Sequence, residues 1–189
     1  MIELNRGDEM TLAREDGTPY GLLTMGLGWD KQAGAGALSG SNRPDVDLDA
    51  SAIQYAGDQL FDLAFFNHLE TRDGSVKHLG DNISGRGEGD DEQITIELSK
   101  VYPRVDTMLF LVSSYHGHSL EFVRNAYCRL VDEDDVEIAR FTLTQGVPRT
   151  GFMLAKMFRD RDGWKLRAIG QGIPVSVPTE SLDVLQRFV

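Results

Sequence analysis

The 189-residue sequence has one cysteine, six prolines, four histidines and no long apolar run, and each shortage closes off a class of protein. Cys128 has no partner for an intrachain disulfide, which excludes a disulfide-framed scaffold and fits a reducing compartment. Its apolar and aromatic neighbours mark it as a packed thiol, since nothing beside it favours a thiolate. No stretch approaches the roughly 20 apolar residues that cross a bilayer as a helix. The opening Met1-Ile2-Glu3-Leu4-Asn5-Arg6 has neither the basic nor the apolar segment of a secretory signal. The expectation is a cytoplasmic protein, not integral to a membrane. Positive charge is also short: 19 Lys and Arg against 30 Asp and Glu leave a net charge of −11. A phosphate backbone needs a basic face to displace its counterions, and without such a Lys/Arg cluster nucleic acid is excluded as a partner.

What is present reads as strands joined by turns. Alternating or β-branched and aromatic runs occur at residues 21–28, 48–55, 59–67, 93–98, 107–115, 125–131, 136–144, 151–158 and 164–169, with weaker ones at 2–4 and 10–13. Asp73-Gly74 and Asp162-Gly163 fall between such runs, where a tight hairpin needs a positive φ. Helix is scarce. A short turn is expected over 120–124, and a last helix after Thr179, with Glu180 in its first turn and Leu182, Leu185 and Phe188 along one side. The fold predicted is mostly β: a two-sheet antiparallel β-sandwich with a few short helices including one at the C-terminus, in one domain over residues 1–189.

The negative charge is unevenly spread. Asp45, Asp47 and Asp49, with Asp81, Glu88, Asp90, Asp91 and Glu92, offset only by Arg86, supply seven of the eleven net negative charges in two short stretches. If residues 45–49 are extended, the three aspartates share a face about 7 Å apart. Each adjacent pair then costs roughly 2 kcal/mol at an effective dielectric near 20, a repulsion that a divalent cation removes. The pattern is not an EF-hand, because Ala50 and Ala56 stand where that loop requires Gly and Glu. In the second stretch, glycines 80, 85, 87 and 89 allow sharp turns that present carbonyl oxygens between Asp81, Asn82 and the acidic side chains. Hard oxygen donors in a flexible shell suit calcium; zinc and copper prefer His or Cys, and magnesium favours few carboxylates with several waters. A phosphate loop is rejected, since no Lys-Ser/Thr follows the glycines and the acidic end repels phosphate.

The run Gly-Asp-Asn-x-Ser-Gly-x-Gly-x-Gly-Asp-Asp-Glu at 80–92, Asp-x-Asp-Leu-Asp-Ala-Ser at 45–51 and Gly-Leu-Gly-Trp-Asp at 26–30 together resemble the TerD family of tellurium-resistance and general-stress proteins. The similarity runs from about Met1 to Gly172, including Ile138-Ala139-Arg140-Phe141 and the stretch from Trp164 to Gly172. The resemblance implies a cytoplasmic β-sandwich holding paired calcium ions between the two acidic loops, with a role in tellurite and stress resistance. Carried over by position, the loop residues fall on Asp45, Asp47, Asp49, Asp81, Asn82, Asp90, Asp91 and Glu92. Glu88 joins them where the family usually has Asp, Arg86 stands where it usually has an acidic residue, and the segment 173–189 departs from the expected tail.

Other residues carry simpler readings. His116-Gly117-His118, with His68 or His78, has the types but not the Cys company of a zinc site. Asp132-Glu133-Asp134-Asp135 reads as a hairpin tip, Ser113 and Ser114 lack a nucleophile elbow, and Trp29 and Trp164 read as core or rim aromatics. The function expected is a calcium-binding stress-response module with no catalytic residues, acting on an unidentified protein partner, with calcium-bridged docking on an anionic membrane as a variant. The alternative is a metal-dependent hydrolase that activates water on a carboxylate-bound ion.

Overall fold

Alternation of inward and outward side chains builds most of the molecule, seen in a computed structural model that describes residues 1–30, 48–80, 89–143 and 147–189. The strands are β1 (Ile2–Glu3), β2 (Glu9–Thr11), β3 (Leu22–Asp30), β4 (Asp49–Ala56), β5 (Gln59–Ala64), β6 (Val76–His78), β7 (Glu92–Glu97), β8 (Thr107–Ser113), β9 (Arg124–Asp132), β10 (Glu137–Leu143), β11 (Gly151–Asp160) and β12 (Gly163–Ile173). They form two six-stranded sheets, β1-β10-β9-β3-β7-β6 and β2-β12-β11-β8-β4-β5. In β3, Leu23, Met25, Leu27 and Trp29 point to the partner sheet, and in β7, Ile94 and Ile96 do the same. Across the gap Ala50, Ala52, Met108, Phe110 and Val112 complete one continuous core. Cys128 lies in it, as expected of a packed thiol, and burial pushes its pKa up to about 12.

The sandwich expectation holds, with differences at its margins. Among the described strands the β1–β10 ladder is parallel, Ile2 beside Ala139 and Glu3 beside Arg140, where antiparallel pairing alone was expected. A two-residue edge strand carries no local signal for its direction; chain entry decides it. β6 was not anticipated. β12 runs on to Ile173 through a bulge at Ile169–Gly170, where Gly170 has φ of +62° and leaves room for Phe141, as Gly172 does for Val147.

A second apolar cluster lies on the outer face of the β4 sheet, where Ile53, Tyr55, Leu109, Leu111 and Met153 meet Ile173, Val175 and Leu185. The C-terminal segment supplies the cover: a 3-10 turn at Pro178–Glu180, the helix α1 (Leu182–Leu185) and a 3-10 turn at Gln186–Phe188. The expected helix is thus present but short. Burying Leu185 fully contributes about 1.5–3 kcal/mol, and Lys156 and Gln186 secure the segment by donating to the carbonyls of Phe188 and Asp58. No helix among the described residues is long and apolar enough to cross a membrane.

Candidate metal centre

The strands place the described ends of the two acidic stretches, Asp49 and residues 90–92, at one end of the sandwich. Asp49 opens β4 and Glu92 opens β7, while β3, which runs antiparallel to β7 with Leu27 opposite Glu92, ends at Asp30. Asp45, Asp47, Asp81, Asn82, Glu88 and Arg86 lie outside the described residues. Asp49, Asp90, Asp91 and Glu92 are described, and their carboxylates take four different positions.

Glu92 has the inward parity of Ile94 and Ile96, and only 2% of its surface is exposed. Its Oε2 accepts from the backbone N–H of Ala50, crossing from one sheet to the other and joining the two acidic stretches directly. His78 Nε2 lies 3.4 Å from the same oxygen, with both side chains fully buried. The Gly80 amide donates to His78 Nδ1 at 3.2 Å, which leaves Nε2 as the ring nitrogen facing the carboxylate. Asp49, also buried, has the outward parity of Ile53 and Tyr55, and its Oδ2 accepts from Tyr115 N at 3.4 Å. Ala50, next to Asp49, thus links these two acidic positions through its amide.

Asp91 finishes β3: its amide donates to Leu27 O at 2.7 Å and its Oδ2 accepts from Trp29 N at 2.9 Å. Asp90 turns to the outer face of the β3 sheet. Arg129 holds it with two parallel bonds, Nε to Oδ1 at 2.7 Å and Nη2 to Oδ2 at 3.0 Å. Tyr127 and Gln93 add donors at 3.2 and 3.1 Å. The bond to Asp90 is the main reason that the Arg129 pKa is raised further, and burial followed by the Asp90 charge raises that of Tyr127. Glu137 bridges Arg129 to Arg140, whose guanidinium sits 4.3 Å over the Tyr127 ring. Space for this clamp comes from β3, where a Cβ at Gly26 would collide with the Asp90 carboxylate and one at Gly28 with the Tyr127 ring. Sequence reasoning weighed His78 only as a partner of His116 and His118 and missed Tyr127, Arg129 and Gln93; the available signal was the pair of glycines inside an apolar strand, which marks a close approach.

The donor chemistry fits a hard cation in kind: carboxylates, two of them buried, beside a glycine-rich stretch. Among the described residues no three His, Cys, Asp or Glu side chains gather as a ligand group. The histidines do not assemble either: His68 lies near Asp62, His78 near Glu92, and the His116 and His118 rings are 6.1 Å apart. The acidic run 132–135 is a hairpin tip as expected, with Asp132 accepting from the amides of Asp134 and Val136. Trp29 and Trp164 are core residues.

Comparison with known proteins agrees with this architecture. The TerD domain family model matches residues 1–178. The chain is 36% identical over 174 residues to the tellurium resistance protein TerZ of Serratia marcescens, covering 90% of this chain and 89% of that one. It is 33% identical to the stress response protein SCP2 of Bacillus subtilis (strain 168), over 100% and 99% of the two chains. A crystal structure of a homologue of telluride resistance protein (TerD) from Streptomyces coelicolor A3(2) superposes with a TM-score of 0.68 at 21% identity, covering 86% of this chain and 95% of that one, and so shares the fold. A domain match across nearly the whole chain, relatives named for tellurium resistance and stress response, and the same fold lead to one conclusion: the chain is a member of the TerD domain family.

Proposed function

We propose that this protein is a calcium-binding module of the stress response, non-catalytic, in which a pair of bound ions orders the acidic end for a protein partner in the cytoplasm. The carrying observation is the bond from Ala50 N to buried Glu92, which ties the two acidic stretches together across the sheets. The oxygen donors proposed are Asp45, Asp47, Asp49, Asp81, Asn82, Glu88, Asp90, Asp91 and Glu92. Asp90 differs from the rest, because Arg129, Tyr127 and Gln93 already engage both its oxygens. It serves as a donor only on release from that clamp. Calcium supplies the positive charge that two crowded acidic stretches lack, and the chain supplies a fixed base beneath them. His78 and the Ala50 amide hold Glu92, while Asp91 holds the end of β3.

A site formed only in the native state stabilises it by mass action, by about 2.7 kcal/mol at a hundredfold excess of ion over Kd. For a chain of this size that is roughly a 5–10 °C rise in Tm. Thermal melts of chelator-treated protein, alone and with equal concentrations of calcium or magnesium, test the proposal. A rise of that order with calcium and a smaller one with magnesium is expected. No rise, or equal rises with both ions, contradicts it.

A further inference from the structure

The outer face of the β4 sheet changes character at its acidic end. Along β4, Asp49, Ser51, Ile53 and Tyr55 share that face, because alternate residues of a strand point the same way. Across the sheet, Ser113 of β8 pairs with Asp49 on one side and with Gly151 of β11 on the other. Residues directly opposite hold their Cβ atoms about 4.5–5.5 Å apart on one face, and diagonal neighbours such as Ser51 and Ser113 lie about 7–8 Å apart. At Gly151 the row has no side chain, and the Val175 carbonyl fills the place, 2.5 Å from where a Cβ would stand. The C-terminal segment thereby helps to shut water out of the row. Ser113 is 0% exposed and Ser51 1%.

Four serines are buried among the described residues, and they divide into two kinds. Ser75 Oγ donates to Asp73 at 2.8 Å, and Ser114 Oγ accepts from the His118 amide at 3.2 Å. Ser51 Oγ and Ser113 Oγ have no hydrogen-bond partner, and neither bonds to Asp49. A buried hydroxyl left in that state costs stability. The two serines that carry this cost are the two beside Asp49, whose own carboxylate is buried with the Tyr115 amide 3.4 Å from Oδ2. Carboxylate and hydroxyl oxygens are hard donors of the kind that calcium takes. A cation against this face draws a lone pair from each serine and removes the cost of their burial.

We propose that Ser51 and Ser113 are calcium ligands, their hydroxyl oxygens joining the Asp49 carboxylate around one ion on the outer face of the β4 sheet. The assignment rests on the calcium reading of the acidic end and adds two neutral ligands to it, one of them from β8. It also puts this ion and Glu92, which faces the gap between the sheets, on opposite sides of β4. Calorimetric titration of the chelator-treated full chain, with thermal melts in chelator, compares the wild type with Ser51→Ala, Ser113→Ala and Ser113→Cys. Each alanine variant is expected to bind calcium about tenfold more weakly at one site. Its Tm in chelator is expected to stay at or above that of the wild type, because the hydroxyl removed had no partner to lose. Ser113→Cys nearly keeps the size but replaces a hard oxygen with a soft sulfur. It is expected to weaken calcium and to bind cadmium, a softer ion of similar radius, at least about tenfold more tightly than the wild type does. Wild-type calcium affinity in either alanine variant overturns the assignment and leaves the calcium reading standing. Weaker calcium binding in Ser113→Ala without tighter cadmium binding in Ser113→Cys overturns it too, as an effect of packing. A wild type that binds no calcium fails the underlying reading, and this assignment with it.

Discussion

Asp73 shows how one side chain organises a region through hydrogen bonds to its carboxylate. Backbone amides of Tyr102 and Ser75 reach it at 2.9 and 3.1 Å, and the hydroxyls of Ser75 and Thr71 at 2.8 Å each. Burial works to raise its pKa, but these donors outweigh it and hold the carboxyl below its ordinary range. A depressed pKa means that the charged form stabilises the fold above the unfolded-state pKa, and that the stabilisation is lost as pH falls through the lower folded-state value. Asp73→Ala is therefore expected to cost about 1–3 kcal/mol near neutral pH, with a smaller deficit at about pH 3, below the ordinary Asp pKa of about 3.9, where the charge-dependent part of the stabilisation is already falling. Urea denaturation of both proteins at the two pH values measures this. An equal deficit at both would assign the effect to packing instead of charge. The turn itself was legible, since Asp73-Gly74 between two strand-like runs predicts a positive φ, and Gly74 has φ of +69°. The five-donor carboxylate was not, because Tyr102 and Gln54 are brought to it by the fold and not by their places in the sequence.

At the scale of the element, β3 joins core to candidate site. Its inward residues alternate as Leu23, Met25, Leu27 and Trp29, a period-2 pattern that made the strand readable. Its outward face carries Gly26 and Gly28, which leave room for Asp90 and Tyr127. The Asp90 side chain is 1% exposed and that of Arg129 27%, so the clamp is sheltered enough to stabilise the fold without any ion. Asp90→Asn is expected to lower stability by about 1–3 kcal/mol in chelator, as read by chemical denaturation. A deficit that appears only when calcium is present would make Asp90 chiefly a ligand. Sequence grouped Asp90, Asp91 and Glu92 as one acidic set, yet the structure sends them to the outer face, the end of β3 and the gap between sheets. That division depends on Arg129, Trp29 and Ala50, none of them near in sequence. β6 escaped notice for a related reason: Val76-Lys77-His78 is too short to show a period, and its inward His78 is polar.

Among the described residues, β4 joins two ends of different chemistry, Asp49 beside Glu92 at one and the Arg72, Phe61 and Tyr102 stack near the other. The sandwich between them was legible because inter-sheet burial imposes alternation on nearly every strand. The C-terminal cover was legible only as a helix with an apolar side; that it closes the outer face over Ile53, Tyr55 and Leu109 follows from the tertiary fold. The measurement that bears most directly on the proposed function is calorimetric calcium titration of chelator-treated protein, compared with Glu92→Gln and Asp134→Asn. Two ions per wild-type chain are expected, with affinity at one or both sites reduced by Glu92→Gln, about tenfold for the loss of one charged ligand, and no change in Asp134→Asn at the hairpin tip. Absence of calcium binding to the wild type, or loss of binding in Asp134→Asn with Glu92→Gln unaffected, contradicts the assignment of calcium to the acidic end.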